Sequence, residues 1–117
     1  MPPGYLIAFN KSRGREIAGK VVKADTFLAR LIGLLGRRSL EPGEGLWIAP
    51  CPQIHTFFMG FSIDVLFLDK DQKVLRVLED FRPWRLSPWV AASTSVLELP
   101  AGTLKGGVSE GDGIEFR

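Results

Sequence analysis

The stretch Phe61 to Leu68, FSIDVLFL, most constrains what this chain can fold into. Its second half is four consecutive apolar residues, closed off by Asp69-Lys70-Asp71-Gln72-Lys73. So short an apolar run suits a strand buried on both faces, and the residues after it suit a hairpin turn with a return strand over Val74 to Leu78. The same punctuation recurs along the chain. Tyr5 to Phe9 runs into the turn formers Asn10 to Gly14, and Arg15 to Lys23 follows as a hairpin partner. Leu46 to Ile48, Val96 to Leu99 and Ile114 to Phe116 are further short runs, set between glycine- and proline-rich turns. Some seven short strands predict a mainly β fold, a compact antiparallel β-sandwich or barrel.

One segment has a different period. Phe27, Leu28, Leu31, Ile32, Leu34 and Leu35 recur at spacings of three and four, which predicts an amphipathic helix near residues 26–36, with Arg30 beside its apolar stripe. Asp25 or Thr26 can cap its start, Gly36 suits its end, and Arg37 and Arg38 would lie at the negative end of its dipole. At 117 residues the chain is expected to be a single domain, residues 1–117.

Fifteen Lys and Arg against 13 Asp and Glu give a net charge of +2 with no long run of one sign, too even a distribution for a phosphate-binding face. Nucleic acid is therefore not the expected partner. The start, Met1-Pro2-Pro3-Gly4, lacks the basic segment and apolar core of a secretory signal, and no apolar run nears the roughly 20 residues that cross a bilayer. The expectation is a soluble cytoplasmic protein without a membrane partner, its oligomeric state open.

The candidate chemistry centres on Cys51 to Asp69. Cys51, His55 and Met59 are spaced by four, but four residues of extended chain span about 13 Å, and Pro50 and Pro52 oppose a helix there. No metal or cofactor is expected, and Cys51 reads better as a small apolar filler than as a nucleophile paired with His55. Asp64 stands between Ile63 and Val65 on an apolar strand, where an unpartnered carboxylate would be costly. Its partner could be Arg30, His55, Thr56, Ser93 or backbone amides. Farther on, Pro83 and Pro88 break Phe81 to Trp89 into a loop carrying Trp84 and Trp89. Their rings, with Arg82 and Arg85, could stack on single-stranded bases or sugars; covering the end of a barrel is the favoured role.

Taken together, Trp47, Cys51, Ile54-His55-Thr56-Phe57-Phe58-Met59, Ile63-Asp64-Val65 and Phe67-Leu68-Asp69 resemble a widespread family of small prokaryotic proteins, the domain of unknown function 192. Arg30, Gly33, Leu34, Gly36-Arg37, Pro83-Trp84, Val96 to Pro100, Gly102 and Gly111-Asp112 extend the resemblance from about Ala24 to Phe116. It implies a mainly β fold with a helix early in the chain, and no settled activity. The polar or special positions it carries over are Arg30, Arg37, His55, Thr56, Met59, Asp64 and Asp112. Gly60 stands where the family often has a basic residue, and Ser62 where it often has proline.

Three functions follow as expectations. The first is a small binding or accessory domain for a small molecule or protein, with a polar cluster of His55, Thr56 and Asp64, joined by Met59 and Arg30. The second is a hydrolase or transferase using His55 with Asp64 as its orienting carboxylate. The third is single-stranded nucleic-acid binding through Arg82, Trp84, Arg85 and Trp89.

Overall fold

The computed structural model describes residues 4–24, 40–49, 52–57 and 59–117. Seven strands follow the predicted punctuation: β1 (Leu6–Asn10), β2 (Arg15–Ala24), β3 (Glu44–Ile48), β4 (Ile63–Leu68), β5 (Val74–Phe81), β6 (Ser95–Pro100) and β7 (Ile114–Phe116). Among the described residues there is no helix; the predicted helix near 26–36, with Arg30, lies outside them.

The strands form one sheet in the order β5-β4-β6-β3-β2-β1-β7. Of the two expected forms, sandwich or barrel, the second is the nearer: there is a single curled sheet and not two packed ones. The expected antiparallel arrangement also needs one correction, because β2 and β3 pair in parallel, Val22 opposite Leu46. A parallel pair requires a long crossover rather than a hairpin, and residues 25–43 supply that length.

The sheet curls until its two outermost strands meet at one end. Lys73 bridges Gly113, the Val74 amide donates to the Asp112 carbonyl at 2.9 Å, and the Ile114 amide donates to the Gln72 carbonyl at 2.9 Å. The result is a half-barrel stitched at one corner.

Alternation divides the apolar side chains into two layers. One draws on both ends of the strand order, with Ala8, Val21, Leu66, Leu97, Leu99 and Ile114 among its members, so it must fill the concave side. Gly45 belongs here for want of room: an added Cβ would come within 3.1 Å of Leu99 and 3.2 Å of Val21. Trp47 packs against this layer with its ring 3.7 Å from that of Phe116 and almost parallel to it. The other layer joins Leu46, Ile48, Val65, Phe67 and Val96 to Leu40, Ile54 and Met59 from outside the strands. That second layer is what seats the loop residues Ile54 and Met59 on the sheet.

Candidate functional site

Pro52 and Pro83 keep two segments out of the ladder, and the chain satisfies their backbone groups by tying them to each other. The Thr56 amide donates to the Arg85 carbonyl, the Trp84 amide to the Thr56 carbonyl, the Ser87 amide to the Ile54 carbonyl and the Val90 amide to the Pro52 carbonyl, all at 2.9–3.0 Å. Side chains complete the seam. Buried Thr56 donates its hydroxyl to the Arg82 carbonyl at 2.6 Å and accepts the Arg85 amide at 3.0 Å, while the Ser87 hydroxyl accepts the Ile54 amide at 3.0 Å. Thr56 is therefore a structural hub, every polar atom engaged.

This seam presents a row of rings. His55 stacks on Phe57 with centroids 5.0 Å apart, and Phe57 lies 6.2 Å from Trp84. Trp84, Leu86 and Trp89 are 56, 59 and 65 % exposed, and Phe57 36 %. The expectation that Trp84 and Trp89 cover the end of the barrel does not hold for indoles this exposed, and neither belongs to either apolar layer. Trp84 also has φ of 61°, a left-handed conformation that is a genuine outlier for so bulky a residue. The seam over-determines that backbone, as strained positions require.

The other predicted residues lie apart from one another. Asp64 is fully buried, and its partners are the backbone amides of Asp80 and Leu104, one on each oxygen at 2.9 Å. Among the described residues neither His55 nor Thr56 bonds it. His55 is exposed and its Nδ1 accepts the Phe57 amide at 3.3 Å, a contact within its own loop rather than with Asp64. Met59 is buried in the layer beneath the loop. Arg30 and Cys51 lie outside the described residues. A cavity of about 170 Å³ opens elsewhere, lined by Asn10, Arg15, Thr103, Lys105 and Val108, with none of the predicted site residues on its wall.

Two polar features go beyond the sequence reading, which names Asp112 only through the family resemblance and Glu98 only as part of a strand. Buried Asn10 donates to the Asp112 carboxylate at 3.0 Å, and Arg13 pairs with the same carboxylate at 3.1 Å. The Ser109 amide, above all, holds the Asp112 carboxyl below its usual range, helped by Asn10 and Arg13. The second is Glu98, on β6 opposite Leu46 and Val65. Its carboxyl is buried, Oε2 has no hydrogen-bond partner among the described residues, and burial pushes its pKa up to about 8. The signal for it was in the chain: Glu98 lies between Leu97 and Leu99 just as Asp64 lies between Ile63 and Val65.

Fold and site together define a small β half-barrel that displays aromatic side chains on two cross-tied loops. The chain belongs to the DUF192 family, described as an uncharacterised ACR, whose profile it matches over residues 8–116. A UPF0127 protein of Pyrococcus abyssi is 38% identical over 117 residues, covering 94% of this chain and 97% of the relative. Two solved structures share the fold at a TM-score of 0.80. One, from Sinorhizobium meliloti, is described as "a putative transcription regulator" and is 26% identical over 99% of this chain and 98% of that one. The other, a protein of unknown function from Novosphingobium aromaticivorans, is 21% identical over 94% of this chain and 83% of that one.

Proposed function

We propose that this chain is a cytoplasmic binding module that docks a partner protein on the surface formed by His55, Phe57, Trp84, Leu86 and Trp89, with Arg85 at its rim. The observation carrying this reading is that three large apolar side chains, each more than half exposed, stand on one hydrogen-bonded seam. Exposed apolar groups scattered singly mean little, but His55, Phe57 and Trp84 are in ring contact and Leu86 pairs with His55, and a set rich in aromatic rings beside Arg is the composition of protein interface centres. The fixed seam removes much of the ordering cost of binding.

The local charge favours protein over nucleic acid. In Glu79 to Trp89 two carboxylates, Glu79 and Asp80, offset the guanidinium groups of Arg82 and Arg85, and Arg82 lies 4.0 Å from Asp80. Phosphate recognition depends on an uncompensated basic surface. Because the Sinorhizobium meliloti relative is described as "a putative transcription regulator", nucleic acid is the alternative that the test must separate from protein. No described helix is long and apolar enough to span a membrane.

Gel filtration of gently lysed native-host extract tests the reading. The expected result is elution as a complex well above the 12.9 kDa chain, insensitive to nuclease, and collapse to the monomer when Trp84 and Trp89 are both replaced by serine. Collapse on nuclease treatment, or elution of the unaltered chain as a monomer, contradicts it.

A further inference from the structure

We propose that protonation of Glu98 is a switch controlling how firmly the apolar layer holds Ile54 and Met59 and the loop residues beside them; its regulatory meaning rests on the binding role proposed above. The geometry is that of an acid placed inside a hydrocarbon layer. Glu98 follows Val96 by two residues on β6, so the two share a face, and its cross-strand neighbours are Leu46 on β3 and Val65 on β4. Val96, Leu46 and Val65 all belong to the layer that contains Ile54 and Met59. Those two residues bracket His55, Thr56 and Phe57. Whatever loosens this layer loosens the base of the aromatic surface.

A neutral carboxyl can stay in such a layer; a carboxylate without a partner cannot, because its desolvation is uncompensated. No described cation reaches it. On β4 the residues sharing its face, Ile63, Val65 and Phe67, are apolar. On β3 the titratable one is Glu44, whose Oε1 accepts the Glu41 amide at 2.8 Å. Beyond these, exposed Lys20 pairs across with Glu44 and exposed Arg76 with Phe67. In the loop, His55 lies on Phe57. The raised pKa of about 8 agrees with this environment. An open form that hydrates Glu98 would restore a pKa near the ordinary 4.5. Between those values each pH unit multiplies the open population about tenfold.

The test combines carbon NMR of the Glu98 carboxyl with hydrogen exchange of the Ile54 and Thr56 amides, corrected for intrinsic rates, in the full chain at pH 5.5–8.5. The expected result is a carboxyl that titrates well above the ordinary glutamate range. The opening equilibrium at both amides should climb up to roughly tenfold per pH unit and level off near pH 8. In Glu98→Gln it should be flat with pH. A carboxyl already ionised at pH 5.5 overturns the proposal, and so does the same pH dependence in both proteins. Neither readout needs a partner, so failure of the docking role and failure of the switch remain distinguishable; if Glu98→Gln does not fold, the titration of the unaltered chain decides alone.

Discussion

Thr56 and Asp64, two of the residues expected to form one polar cluster, do the same kind of work in different places. Each is a buried polar side chain that satisfies backbone groups the sheet cannot. Replacing Thr56 by valine keeps the shape but leaves the Arg82 carbonyl and the Arg85 amide without their partner. A loss of about 1–3 kcal/mol is expected, read by urea unfolding, together with a change in the fluorescence of the two exposed indoles. Unchanged stability would mean that the seam does not depend on the hydroxyl. Asp64→Asn turns one acceptor into a donor facing an amide of Asp80 or Leu104. It should cost about 2–4 kcal/mol in the same assay, and a neutral result would mean that the carboxylate is not structural. His55 differs from both: it is exposed, and His55→Ala is expected to weaken docking while leaving stability within about 0.5 kcal/mol.

At the scale of elements, all seven strands could be read from apolar runs and turn residues, because each run is short and its boundaries carry glycine, proline or aspartate. Their arrangement could not. Whether β2 pairs with β3 in parallel depends on how a 19-residue crossover, residues 25–43, returns to the sheet, and no local pattern encodes that. The two loops were legible as loops, but not their mutual hydrogen bonding, which joins residues some 30 positions apart. Hence the exposure of Trp84 and Trp89 was misjudged: an indole in a proline-broken loop gives no sign of which side it takes. Gly45 tests the arrangement itself. It sits where β2, β3 and β6 crowd together, so Gly45→Ala should destabilise the fold by about 1–3 kcal/mol through overpacking. Thermal unfolding would show it, and an unchanged midpoint would contradict the close packing of that face.

For the whole molecule, the two outlying carboxyls shape stability in opposite directions. Glu98, raised in the fold, contributes stability that is fully present below about pH 4.5 and lost progressively as pH rises to about 8. Asp112, lowered in the fold, contributes stability above its ordinary value of 3.8 that is lost as pH falls through the lowered one. Melting temperature should therefore decline from pH 5 to 8, and Glu98→Gln should remove that decline; a melting temperature that rises over this window would contradict the buried neutral acid. The central claim concerns the surface above that acid, and position-resolved photo-crosslinking in native cells tests it most directly. A photoreactive residue in place of Leu86 or Trp89 should give one discrete protein adduct that is absent when the same residue replaces Ser109 or Glu110 on the loop between β6 and β7. Equal labelling from both sets of positions, or none from the aromatic surface, would contradict the account.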